Sequence, residues 1–155
     1  MHLDLYHLMG QALEEAQKAS LAGEVPVGAV VASQEGEIVA RAHNQPIALN
    51  DPTAHAEILA IRRAGLACRN YRLSNTVLVV TIEPCVMCMG AAVNARVSRL
   101  VYGADDPNWG AAGSLYNLAI DNRLNHRIDV IPGIRDEECR VLMQDFFRAR
   151  RTNEL

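Results

Sequence analysis

No run of 18 or more apolar residues occurs in the 155-residue chain, which excludes a membrane-spanning helix. The start, Met1-His2-Leu3-Asp4-Leu5, lacks the basic stretch and apolar core of a secretory signal, so a soluble cytoplasmic protein is expected. Lysine is almost missing: of the 15 cationic residues only Lys18 is not arginine. The formal net charge of −3 leaves no basic excess, which argues against indiscriminate nucleic-acid binding but not against a local basic patch. There is no internal repeat, low-complexity tract or linker, and one domain over residues 1–155 is expected. Cysteines number four, an even count that could suggest two disulfides, but a cytosolic domain able to bury a sizeable core rarely needs them. Cys68 and Cys139 are expected to be small buried hydrophobes.

What is present reads as alternating helices and strands. Leu5, Leu8, Met9, Ala12, Ala16 and Ala19 recur at three- and four-residue steps, predicting a helix from Leu3 to Leu21 that Gly23 stops. Val25 to Ala32 and Ile38 to Ala42 read as strands joined through a tight turn at Gln34-Glu35-Gly36. A second helix is expected from about Ala54 to Gly65, and a strand apolar on both faces, hence central, from Thr76 to Ile82. Pro84 opens a third helix to about Ala95. Arg99 to Tyr102 is a strand closed by Gly103, and Ile128 to Ile131 another. The last helix runs from Asp136 to Arg151, with Val141, Leu142, Asp145, Phe146 and Ala149 at helical spacing; residues 104–125 resist assignment. A hairpin followed by alternating helices and strands implies a three-layer α/β arrangement.

Two short motifs carry the chemistry. His55-Ala56-Glu57 opens the second helix, and Pro84-Cys85-Val86-Met87-Cys88 opens the third, about 28 residues later. Cysteines three apart on a helix share a face, and a helix start favours thiolates, the form that zinc takes as ligand. Two cysteines and one histidine make three ligands, where a structural zinc site normally has four and a catalytic site leaves a position for water. Zinc lowers the pKa of such a water from ~15.7 to roughly 7, making hydroxide available at neutral pH. Glu57, beside His55, is placed to shuttle protons. Each motif alone is weak evidence. Together they match the H-x-E…P-C-x-x-C signature of zinc deaminases.

With these motifs the sequence resembles the tRNA adenosine deaminases that convert the wobble adenosine to inosine. The resemblance runs from the first helix to Arg151. It includes Glu24-Val25-Pro26-Val27-Gly28-Ala29-Val30, Asn44-Gln45-Pro46, Pro52-Thr53-Ala54-His55-Ala56-Glu57, Thr81-Ile82-Glu83-Pro84-Cys85-Val86-Met87-Cys88, Gly103-Ala104-Asp105-Asp106, Gly110-Ala111-Ala112-Gly113-Ser114-Leu115, Asn125-His126-Arg127 and Asp145-Phe146-Phe147-Arg148. It implies a cytidine-deaminase-like α/β/α fold with a central mixed five-stranded sheet. It implies one Zn2+ per subunit, held by His55, Cys85 and Cys88, with Glu57 as catalytic proton shuttle. Asn44 and the Ala56 backbone N–H would address the flipped nucleotide, and Asp105, Asp106 and the Phe146-Phe147 pair the flanking anticodon nucleotides. Phe147 is the choice for the RNA side because Phe146 continues the apolar stripe, with Arg148 available for phosphate. The partners implied are a tRNA anticodon stem-loop and a second copy of the chain. In one respect the sequence departs from the family: it ends in Thr152-Asn153-Glu154-Leu155 without a basic tail, from which a lower backbone affinity is expected.

Two other readings share these residues. A deaminase of free guanine or cytosine would use the same zinc motifs. A non-catalytic zinc module would need a fourth protein ligand, for which His43 and Cys68 are the candidates.

Overall fold

The computed structural model describes residues 3–153. Met1, His2, Glu154 and Leu155 lie outside the described residues, and with them the first residues of the start and the end of the tail considered above. Ten elements follow in chain order: α1 (Leu5–Leu21), β1 (Gly28–Ser33), β2 (Ile38–His43), α2 (Pro46–Leu49), α3 (Ala56–Cys68), β3 (Thr76–Ile82), α4 (Val86–Ala95), β4 (Arg99–Ala104), β5 (Asp129–Ile131) and α5 (Asp136–Asn153).

The strands form one sheet in the order β2-β1-β3-β4-β5. β1 is antiparallel to both β2 and β3, whereas β3, β4 and β5 are parallel, so the sheet is mixed and five-stranded. Alternation of side chains splits the core in two. Ala29, Val31, Leu78, Val80, Leu100 and Tyr102 pack against α3 and α4. Val30, Ala32, Val77, Val79 and Val101 pack against Leu8, Met9, Ala12 and Leu13 of α1 and Cys139 of α5. The run Thr-Val-Leu-Val-Val-Thr of β3 is buried on both faces, as a central strand requires. The result is a three-layer α/β/α architecture around a mixed five-stranded sheet, as expected. Among the described residues no helix is long and apolar enough to cross a membrane.

Element boundaries differ from the sequence reading where local chemistry intervenes. α1 starts at Leu5 because Asp4 caps it, its side chain accepting the His7 N–H at 2.9 Å. It ends as expected, Gly23 taking φ +78 and the Glu24 N–H turning back to Ala19 O. β1 begins at Gly28 rather than Val25, since Pro26 has no N–H for the ladder and the Val27 N–H bonds Val25 O instead. β4 runs through Gly103 to Ala104, with Cys139 packed over the glycine. α2 is a single turn that apolar periodicity cannot reveal. Residues 105–128 contain turns and one isolated bridge, Ala112 to Asn117.

Candidate active site

His55 and Cys85 occupy equivalent positions in the fold. Each is the last extended residue before a helix, at φ −70, ψ 153 for His55 before α3 and φ −76, ψ 177 for Cys85 before α4. Neither side chain caps its helix, so both are free to face each other. The His55 Nδ1 lies 3.6 Å from Cys85 Sγ and 3.5 Å from Cys88 Sγ. For a tetrahedral zinc with bonds of about 2.0 Å to nitrogen and 2.3 Å to sulfur, the nitrogen–sulfur edge is about 3.6 Å. The three donors therefore stand where a zinc ion would need them. Among the described residues no fourth His, Cys, Asp or Glu joins this group. His43 instead faces Glu15, 3.9 Å away, and Cys68 is exposed. The closed four-ligand site that a non-catalytic module needs is thus absent among the described residues.

The side chains of the cluster shift one another's titration. The hydrogen bond from Cys88, together with that from His55, outweighs burial and holds the Cys85 thiol down at about 4. The same Cys85 contact, reinforced by burial, pushes Cys88 the other way. His55 is raised by its bond to Cys85. Glu57, in the first turn of α3, is 3% exposed and contacts Cys88; burial raises its carboxyl above the usual range.

Asn44 follows β2 and is 8% exposed. Its Oδ1 accepts the Ala56 N–H at 2.9 Å, so this N–H is engaged by protein and the Asn44 amide nitrogen is the group left to donate. Asp105 and Asp106 lie at the carboxyl end of β4, on the same sheet edge as the cluster. Asp105 accepts the Tyr102 hydroxyl at 3.1 Å, and Asp106 Oδ1 accepts the N–H groups of Asn108 and Trp109, both at 3.1 Å.

The C-terminal residues sit apart. α5 belongs to the α1 layer, and no hydrogen bond or ion pair joins it to His55, Glu57, Cys85 or Cys88 among the described residues. Its start packs at the end of β4, Cys139 against Gly103, while Arg150 near its end reaches Gly23 O. Along its second half Phe147 is exposed, edge-on to Phe146 with ring centroids 5.4 Å apart, and Arg148 pairs with Asp145 at 3.5 Å. The apolar stripe expected along this helix is only partly buried. Phe146 is half-buried, Val141 and Ala149 are exposed, and Cys139 is the buried residue. Cys68 is likewise exposed, a correction to the sequence reading, because α3 carries it past the sheet.

Two buried glutamates frame the site and were not singled out by the sequence. Glu24, 2% exposed, accepts the Ile47 and Ala48 N–H groups at 3.1 and 2.9 Å, fixing α2 beside Asn44. Glu83, 1% exposed, accepts the N–H groups of Asp106, Ala112 and Ser114 at 3.1, 3.0 and 3.0 Å and the Ser114 hydroxyl. Burial alone would raise the Glu83 carboxyl; these donors hold it below the ordinary value. The only available signal was a carboxylate set among apolar residues next to a proline.

Comparison with known proteins agrees with this geometry. The model of the MafB19-like deaminase family matches residues 3–151. A tRNA-specific adenosine deaminase of Haemophilus influenzae is 45% identical over 93% of this chain and 83% of its own length. That of Bacillus subtilis is 46% identical over 92% and 88%. A solved structure from studies of A-to-I editing by tRNA:A34 deaminases superposes with a TM-score of 0.85 at 43% identity, covering 88% of this chain and 98% of that one. The chain belongs to the MafB19-like deaminase family, among the tRNA-specific adenosine deaminases.

Proposed function

We propose that this protein deaminates the wobble adenosine of a tRNA anticodon loop to inosine, with one zinc ion per subunit held by His55, Cys85 and Cys88. The observation that carries the reading is the three-donor cluster, with no fourth protein ligand among the described residues, set against the buried carboxyl of Glu57. Zinc, when bound there, supplies a Lewis acid that makes a water molecule acidic enough to act as nucleophile near neutral pH.

The chain's own residues do the rest. Glu57 takes the water proton and passes it to ring nitrogen 1 of the adenine, which readies carbon 6 for attack by the water oxygen. The carbon–oxygen bond forms, and Glu57 then takes the remaining proton of the added hydroxyl and delivers it to the exocyclic amine. The carbon–nitrogen bond breaks, ammonia leaves, and the oxygen remains as the carbonyl of inosine. The burial of Glu57 suits a group that must be protonated and ionised in turn. The Asn44 amide nitrogen, fixed by the bond from Ala56, orients the flipped nucleotide. The base is presented outside the stack because the anticodon loop already exposes it. Asp105, Asp106, Phe147 and Arg148 meet the flanking nucleotides, Phe147 by stacking and Arg148 at phosphate. A second copy of the chain completes the RNA site, and the enzyme works in the cytoplasm.

The test is to incubate zinc-loaded protein with an anticodon stem-loop bearing a wobble adenosine, with free adenosine, cytosine and guanine in parallel. Inosine and ammonia from the stem-loop alone are expected. Deamination of a free base instead would overturn the substrate, and zinc binding without any deamination would overturn the activity.

A further inference from the structure

Residues 105–116 cross the sheet edge beside the cluster without helix or strand to hold them. Their shape comes from bonds that converge on one side chain. The Glu83 carboxylate gathers donors from Asp106, Ala112 and Ser114, so both ends of the segment meet at one buried anion. A second link ties the segment to the ligand-bearing stretch, the Ala111 N–H donating to Pro84 O at 2.8 Å. Inside the segment, Gly110 N bonds Asp106 O, and Leu115 N and Tyr116 N bond Gly110 O. Gly110 has no alternative residue, since a Cβ there would collide with the Glu83 carboxylate and Asp106 O. No Lys, Arg or His forms an ion pair with Glu83 among the described residues, so its charge is met by backbone and hydroxyl dipoles alone.

The cluster has supports of its own besides that carboxylate. Cys85 and Cys88 are set by α4 and by the Glu83 backbone bond to Ala104 O, and His55 and Glu57 by α3. What depends on the carboxylate is the rim, with Asp106 at its start and the 72% exposed Trp109 at its turn. We propose that Glu83 is a positioning residue which locks the 105–116 rim to the metal-ligand segment and thereby sets how tightly the RNA substrate is held, without taking part in the chemistry. This rests on the RNA-deaminating reading above.

Glu83→Gln puts an amide donor against other donors, while Ser114→Ala removes a single hydroxyl and is the milder change. Gly110→Ala displaces the carboxylate without altering it. For Glu83→Gln and Gly110→Ala, the expected result with the anticodon stem-loop is a KM raised about tenfold or more, the size expected from losing hydrogen bonds to a charged group. Bound zinc and kcat stay close to those of the parent. Ser114→Ala shifts KM the same way by less, and it carries the test if the first variant does not fold. Trp109 is the sole tryptophan, so its quenching by acrylamide reads the rim directly and should rise in all three variants without substrate. An unchanged KM, or a fall in kcat accompanied by lost zinc, overturns the proposal. A parent protein inactive on the stem-loop sinks the functional reading instead, while the quenching comparison still judges whether Glu83 holds the rim.

Discussion

At the scale of single residues, position relative to a helix start decides what each side chain can do. His55 and Cys85 lie just before their helices and Glu57 just inside one, so the two ligands face each other while the carboxyl is buried beside them. Glu57→Ala is therefore expected to retain zinc, measured by atomic absorption, while kcat falls by roughly 100-fold or more, the usual contribution of a positioned acid–base. Near-parental turnover would remove Glu57 from the proton path. The two cysteines outside the cluster differ by burial alone. Burial pushes the Cys139 thiol from 9.0 up to about 12, whereas Cys68 is exposed. Iodoacetamide at pH 8 should label Cys68 in the metal-loaded native protein and Cys139 only after unfolding, as peptide mass spectrometry would resolve. Because the folded state keeps Cys139 neutral, the stability this provides is fully present below pH 9 and drains away as pH climbs through about 12.

The motif residues were legible in the sequence because ligand chemistry demands particular side chains at fixed spacings. Glu24 and Glu83 were not, because their partners are backbone N–H groups 23 to 31 residues away, which only the folded chain brings near. Element by element the same division holds. α1 declares itself by periodicity and α4 by the proline that opens it, and the burial of β3 on both faces follows from its unbroken apolar composition. α2 does not, since four residues carry no period and its first N–H groups are satisfied from outside by Glu24. Glu24→Ala removes the buried carboxylate that accepts both groups, and a hydrogen bond to a charged acceptor is worth about 1.5–3 kcal/mol. A clear drop in the urea midpoint is expected, with a lower kcat/KM on the stem-loop because Asn44 immediately precedes this turn. An unaltered midpoint would mean that water replaces the carboxylate and that α2 stands without it.

Across the whole molecule, a chain of net charge −3 has to hold a polyanion, which requires its cations to be placed rather than numerous. In the proposed reading α5 supplies that placement: its first turn holds Asp136, Glu137 and Glu138, and its last turn Arg150 and Arg151. That asymmetry also suits the helix dipole, so charge alone would not assign it to RNA. The exposed Phe147 ring beside Arg148 is what tips the balance, offering a stacking surface next to a cation held only by an exposed i,i+3 pair with Asp145. The two contributions are separable by salt. Arg148→Ala should weaken stem-loop binding and flatten the plot of log affinity against log salt by about 0.7, the share of one neutralised phosphate on a single strand. Phe147→Ala should weaken binding by roughly 1–3 kcal/mol, the worth of one stacked base, and leave that slope unchanged. Binding measured by fluorescence anisotropy across a salt series distinguishes them. If both variants bind as the parent does at every salt concentration, α5 is no part of the RNA surface, and the flanking nucleotides must be held by the rim around Asp106 and Trp109 alone.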